Sequence, residues 1–489
     1  MQTVCVTGAR PLQIGLAASL CSLFLTVPTF RVAAQTVPPA TDTIRDDMQA
    51  KPASQAAALA TYVVRKAKRQ DAKPAPQDTT PAPQDAKPQT PPSKPAEGQP
   101  QQTPPAPAVP ASVPPGTFTY SGLIDVYFGI NVRAPRAANG GPFTATVTPS
   151  GESIGIDNAG RAFDINDREL SLSLAELTFT RTEGKGIPFA ITGTLTTGDT
   201  ARLVHATEPG GTSSWQNIQQ LYLSKTIHAA NRDLTFDFGK FVTPIGQEVI
   251  ESTGNDNYSR GFVFQYATPL YHAGLRATVP LDAKGRFTAM FLAVNGWNNV
   301  ADDNDQKSFG VGLTWKPDSH FTGIFNYLGG AEGTGAYGPA LAPKNRGNIS
   351  TQLAEFAPTW QMNPKLKLAG DIVYANGTGD VSGIHMSGDW LGLAAYARYQ
   401  LTPKFAVAVR AEQFEDLPGA GGVGLRLGGS YTKLRSGTVT LEYALLHSHV
   451  ITRLEYRHDQ SSSASFFGAG SGNTTPDQDT LAGSAAYKF

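Results

Sequence analysis

From Thr117 onward, apolar and polar positions alternate in short runs. In Asp233–Phe238, Leu234, Phe236 and Phe238 alternate with Asp233, Thr235 and Asp237. In Val450–Arg457, Val450, Thr452, Leu454 and Tyr456 oppose Ile451, Arg453, Glu455 and Arg457. A period of two with one apolar face predicts strands, not helices. About sixteen such runs fit between 118–133 and 479–489. The connections sort by parity. After even-numbered runs they are short (TEGKG, HAANR, LDAKG, PDS, NP, TP). After odd-numbered runs they are mostly long and polar, through 134–167, 198–218, 242–269, 331–347, 416–432 and 459–478. A soluble sandwich has no reason to sort its loops by end. A membrane barrel does, with short turns on one side and long loops on the other. The expected fold is therefore all-β, a transmembrane antiparallel up-and-down barrel of about sixteen strands.

The chemistry of the faces supports this. Aromatic residues gather near strand ends (Tyr120, Phe128, Tyr222, Tyr271, Trp315, Tyr399, Tyr456, Tyr487), where an interfacial girdle is expected. The opposite face carries Asp125, Asp237, Arg276, Asp371, Arg410, Glu412, Glu442, Arg453, Glu455 and Arg457. Charges of both signs recurring in many strands suit a water-filled lumen, and sixteen strands enclose one. The chain ends Ala-Ala-Tyr-Lys-Phe, and alternation places Tyr487 and Phe489 on the lipid side. A terminal aromatic residue is what outer-membrane barrels present to their assembly machinery, so Phe489 is the expected contact with that partner.

The first part of the chain reads differently. Arg10, a mostly apolar run over Leu12–Phe30, and then Val32-Ala33-Ala34-Gln35 follow the order of a secretory signal cleaved after Ala34. Residues 35–70 include a helix-forming stretch, ASQAAALATYVVRKAKRQ. Residues 71–116 form a Pro-rich linker, with 15 prolines in the 45 residues from Asp71 to Pro115. Such a segment cannot bury enough surface to fold and is expected to be disordered, partly polyproline II. These segments precede a barrel over 117–489 and would lie in the periplasm, with the barrel surrounded by outer-membrane lipid.

Composition excludes several classes. The 40 basic and 40 acidic residues cancel, so nothing favours nucleic acid. The two cysteines, Cys5 and Cys21, both lie in the signal-like segment, which leaves no cysteine chemistry for the mature chain. Two glycine-rich strings, GTGAYG (333–338) and GAGGVG (419–424), lack the strand–helix context of a phosphate loop. Asp302, Asp303 and Asp305 lack the turn glycine and distal glutamate of a calcium loop. His447 and His449 lack a third ligand, and the strand histidines have no Ser or Asp placed for a dyad. No cofactor, metal or catalytic residue is expected.

Several stretches resemble a known family: SGLIDVYFGIN (121–131), NIQQLYLS (217–224), DFGKFVTPIGQEVIE (237–251), NYSRGFVF (257–264), PLYHAGLRATVPL (269–281) and VNGWNNV (294–300). In this order they resemble the outer-membrane β-barrel porin family, type 2 (OmpL-like), over roughly 117–489. The resemblance implies a bacterial outer-membrane porin and brings no known substrate.

A porin would pass small hydrophilic solutes or ions by diffusion, sieved by width and by wall charges. The third long connection, 242–269, carries Glu248, Glu251, Asp256 and Arg260. By architectural analogy with sixteen-stranded porins this loop folds inward and narrows the channel. Its acids would then face Arg276, Arg410, Arg453 and Arg457 across water. Sixteen strands are also compatible with a homotrimer. An alternative reading is a structural tether, in which residues 35–115 link the barrel to peptidoglycan or a periplasmic partner.

Overall fold

The computed structural model describes residues 114–489, apart from 135–145, 148–152, 210, 334–335, 338–347, 382–383, 428, 465 and 470–472. The signal, the 35–70 segment and nearly all of the Pro-rich stretch lie outside the described residues. Sixteen strands close into one barrel. They are β1 (Phe118–Asn131), β2 (Leu170–Arg181), β3 (Ala190–Thr197), β4 (Ile218–Ala229), β5 (Arg232–Val242), β6 (Tyr271–Pro280), β7 (Phe287–Val294) and β8 (Ser308–Trp315). The series continues with β9 (Phe321–Glu332), β10 (Asn348–Gln361), β11 (Leu366–Val381), β12 (Ile384–Thr402), β13 (Phe405–Pro418), β14 (Thr432–Leu445), β15 (Val450–Ser461) and β16 (Asp477–Lys488). Each pairs antiparallel with its sequence neighbours, and β1 closes the ring on β16 through Ile124 opposite Tyr487.

The barrel is inside out relative to a soluble protein. Along β14, Leu441 is 39% exposed while its neighbour Thr440 is 0% exposed. The same inversion repeats around the ring, with Ile124, Phe238, Val311, Tyr327, Leu454 and Tyr456 all turned outward. Apolar side chains leave water only if that outer face meets lipid, and every backbone group is satisfied because the sheet has no edge. At the short-turn end, β4 and β5 join through Ala230 and Asn231, at φ 52° and 59°. That left-handed backbone is what a two-residue hairpin needs to match the strand twist.

The terminal Phe489 extends the β16 pairing, its N–H donating to Gly122 O (3.1 Å) and its carbonyl accepting from Gly122 N (2.9 Å). Its ring lies over Gly122, where a Cβ would stand 2.2 Å from the ring. Only glycine fits that close approach. Tyr487 and Phe489 face outward, as alternation places them.

The structure departs from the sequence reading in three places. First, β11 and β12 run on past 376 and begin before 389, pairing as far as Val381 with Ile384. Gly377, Gly379, Ser387 and Gly388 give that extension no apolar alternation to read. Second, Tyr222 and Tyr271 are not girdle residues but buried inside. Leu221 and Leu223 take the lipid side of β4, which turns Tyr222 inward. Tyr271 starts β6 beneath the loop after β3, and its hydroxyl donates to Glu208 (2.6 Å). Third, the lumen is not uniformly polar. Inward Phe241, Val294, Leu353, Trp390 and Phe414 pack with loop residues such as Phe262 into one apolar cluster within the barrel.

Candidate functional site

The segment between β5 and β6, residues 243–270, folds into the barrel and carries a short 3₁₀ turn (Ser252–Gly254) and a π-helical turn (Val263–Ala267). It docks chiefly by its own backbone on side chains of the far wall. Gly246 N donates to Glu355 (2.5 Å, β10) and Gln247 N to Asp371 (3.0 Å, β11). Tyr258 N and Ser259 N donate to the two oxygens of Glu455 (2.6 and 2.9 Å, β15), and Val263 N to Glu412 (3.1 Å, β13). Arginines supply the complementary half. Arg453 donates to Ser252 O and Asn255 O (2.6 and 2.7 Å), and Arg457 to Arg260 O (2.7 Å). Carboxylate and guanidinium partners make these hydrogen bonds stronger than neutral ones. A loop turned inward must leave no backbone group unpaired, and the wall charges meet that demand.

The loop's own charged residues lie at the same contact. Glu248, 5% exposed, accepts from Arg410 Nη1 (2.6 Å) and from Gly261 N (2.6 Å). Arg410 also reaches Ser259 O (2.5 Å) and Thr438 (3.1 Å). Asp256 pairs with Lys367 on β11 (2.7 Å). Arg260 donates to Tyr258 O (2.9 Å) and to Ile250 O, with its guanidinium 4.4 Å from the Phe163 ring centre. The expectation of acids facing cations across water does not hold at Glu248 and Asp256. They make direct buried ion pairs, because the loop lies against the β10–β15 wall itself. Arg276 pairs instead with Asp237 of the adjacent β5 (2.9 Å), and Arg453 and Arg457 pair with Glu442 (2.7 Å) and Asp459 (2.6 Å).

Glu251 is placed differently. Its carboxylate accepts from Gln219 Nε2 (2.6 Å) on β4 and lies close to the Glu176 carboxyl of β2. Asp125 on β1 is fully buried, near Arg260 and Ser252. The residues that sequence reasoning missed are Glu176, Gln219, Glu355 and Lys367. Glu176, Glu355 and Lys367 occupy inward phases of their strands, so extending the alternation through β2, β10 and β11 would have found them. Gln219 sits in a bulge, where Thr194 pairs Gln220 but Leu195 pairs Ile218. The extra residue turns it into the lumen.

A second buried cluster pins the loop between β3 and β4, which begins with a helical turn α1 (Asp199–Val204). His205 Nδ1 lies 2.7 Å from Ala201 O, which makes Nδ1–H the donor and leaves Nε2 to accept from Lys240 Nζ (2.5 Å). Burial, then the Lys240 charge, pushes the His205 imidazole down to about 3. Lys240 also donates to Ile218 O (2.7 Å) and lies 4.4 Å from the Tyr271 ring centre. The aspartates at 302–305 close their own turn: Asp302 accepts from Asn304 N (3.2 Å) and Asp305 N (3.0 Å) and pairs with Lys307. Those bonds hold the Asp302 carboxyl below the usual range despite partial burial. Among the described residues, no group of three or more His, Cys, Asp or Glu is arranged to hold a metal.

Residues 117–489 match the family described as "Putative beta-barrel porin-2, OmpL-like". The chain belongs to this family. Sequences of curated proteins give no match. Among solved structures, the barrel is similar to OmpT of Vibrio cholerae (12% identity, 77% of this chain and 99% of that one, TM-score 0.47). It is also similar to the outer-membrane channel DcaP of Acinetobacter baumannii (10% identity, 77% and 98%, TM-score 0.48). A third is an anion-selective porin from Comamonas acidovorans (10% identity, 76% and 100%, TM-score 0.46). Family membership and the closed sixteen-stranded barrel make this a porin-type protein of the bacterial outer membrane.

Proposed function

We propose that this OmpL-like barrel is a diffusion porin for small hydrophilic solutes or ions, with residues 242–269 as its constriction loop. The observation that carries this reading is the docking of that loop. Four backbone N–H groups of it, at 246, 247, 258 and 263, end on carboxylates of β10, β11, β15 and β13, so it is held across the lumen at fixed places. A surface loop would leave those groups to water. A loop so held narrows the barrel to a width set by packing, which is how a sieve works without moving parts. Glu248 and Asp256 then serve as clamps, and Glu251 and Arg260 lie on the side of the loop turned from the clamped wall. The test is planar-bilayer recording of the purified full chain. Stepwise conductance supports the reading, and a membrane that stays silent at all protein doses refutes it. Arg410→Ala, which removes the partner of Glu248, is expected to raise the step size and its noise.

A further inference from the structure

The glycine string GAGGVG (419–424) opens the long connection between β13 and β14. Residues 419–422 are exposed, and Gly421 and Gly422 stand at φ 88° and 69°, a left-handed backbone that suits glycine. The chain then turns into the outer mouth of the barrel. Leu425 is fully buried and joins the same apolar cluster as Phe414 and Trp390. Asp416 shapes that turn by accepting from Arg426 N (3.1 Å) and Leu427 N (2.7 Å). Arg426, itself half-buried, is thereby aimed at three aromatic rings. Its guanidinium carbon lies 5.3 Å from the Trp297 ring centre, 5.4 Å from that of Trp390 and 5.9 Å from that of Tyr337. Its Nε donates to Tyr266 O (2.6 Å) of the constriction loop, and its Nη1 donates to Ala336 O.

The seat is built from parts that do not depend on Arg426. Trp390 stands at 85° to both Trp297 and Tyr337, so the three rings form walls and not a stack. Each wall is fixed by a partner of its own. Trp390 Nε1 donates to Ala267 O (3.2 Å), Trp297 N donates to Glu332 (2.8 Å), and the Tyr337 hydroxyl bonds to Thr351. The walls are buried, while the segment that carries Arg426 begins on exposed glycines. One wall comes from β12, and the other two come from the connections after β7 and β9. Aromatic faces attract a cation, and two carbonyl oxygens accept from the edge of a planar fork. That combination suits a guanidinium better than a compact, strongly hydrated ammonium.

We propose that this aromatic box is a guanidinium-binding seat at the outer mouth, filled by the chain's own Arg426. A guanidinium-bearing ligand from outside displaces Arg426 and frees the β13–β14 loop. The ligand places its planar head between Trp297, Trp390 and Tyr337 and donates to Tyr266 O and Ala336 O. Arg426 is a tethered competitor for the same contacts, and the glycines at 419–422 are the hinge on which it leaves. The exchange breaks and forms only hydrogen bonds and cation–π contacts. The inference goes beyond the porin reading, and it does not need the barrel to conduct.

The test uses the full chain in detergent micelles, with ethylguanidinium as the probe and ethylurea, its neutral planar counterpart, as the control. In wild type, ethylguanidinium is expected to speed amide hydrogen exchange over 419–427, and ethylurea is expected to leave it unchanged. Arg426→Ala empties the seat. It is expected to bind ethylguanidinium about tenfold more tightly by calorimetry, the factor for a seat that Arg426 holds about nine-tenths of the time. Arg426→Ala/Trp390→Leu is expected to lose that gain. Wild-type exchange over 419–427 that is the same with both probes overturns the inference whether or not any variant folds. Equal affinity of wild type and Arg426→Ala overturns it too. Neither result touches the porin reading, which current alone decides, and a silent membrane refutes that reading and leaves this one standing.

Discussion

The inward-folded loop 243–270 has two faces that obey different physics. Against β10–β15 it is bound as a helix or strand is bound in a core, with backbone N–H groups on carboxylates and backbone carbonyls on arginines. Against β1–β4 it offers side chains: Glu251 to Gln219, and the Tyr258 ring to the Tyr127 ring at 5.7 Å. The first face fixes where the loop is. The loop is thus held through its main chain on one side and meets the wall with side chains on the other.

The largest expected effect breaks the docked face. Arg410→Ala leaves Glu248 buried without its cation, and losing one partner of a buried pair costs about 3–5 kcal/mol. The loop is expected to loosen, seen as larger, noisier steps and faster hydrogen exchange over 246–263. An unaltered channel would mean that the clamp does not hold the loop. Next comes the outer side of the same wall. Val439→Arg, in the middle of β14, puts a charge into lipid and is expected to cost about 2–4 kcal/mol in barrel unfolding while channel selectivity stays as it is. If stability is unchanged, that face does not meet lipid.

A smaller effect concerns the neighbouring loop pinned by His205. Its folded pKa, about 3, lies below the ordinary value of 6.5. Between those values the unfolded loop takes up a proton that the folded one refuses. Stability is therefore full above pH 6.5 and falls as pH drops toward 3, by up to about 1.4 kcal/mol per pH unit. Hydrogen exchange over 199–208 is expected to show this slope, and His205→Asn is expected to flatten it. The smallest effect on stability is expected at the open face. Glu176→Gln touches no clamp and is expected to change barrel stability by less than about 0.5 kcal/mol. A large loss of stability there would make Glu176 part of the docking.

Much of this architecture was legible in the sequence because lipid imposes it locally. Leu441 beside Thr440 and Leu454 beside Arg453 can each be read within a few residues, and short–long alternation of connections fixes the strand order. That order gave the 242–269 segment its place. What could not be read was the direction in which its charges pair. Glu248 meets Arg410 and Tyr258 N meets Glu455, across 162 and 197 residues. No local period reports such pairs. Tyr222 and Tyr271 went to the girdle on residue type, although the phase of Leu221 and Leu223 already turned Tyr222 inward. Gln219 escaped because a bulge breaks the period that any strand reading relies on.

The central claim is that the loop seals one wall and leaves the path along the other. It is tested most directly by cysteine accessibility in the conducting channel, with Cys5 and Cys21 replaced by serine. Thr178→Cys on β2 and Thr438→Cys on β14 both point into the lumen, on opposite sides of the loop. A small charged thiol reagent is expected to reduce the steps of Thr178→Cys within seconds to minutes and to leave Thr438→Cys, beneath Arg410, unchanged. Modification of Thr438→Cys with Thr178→Cys inert would place the path on the docked wall and contradict the account.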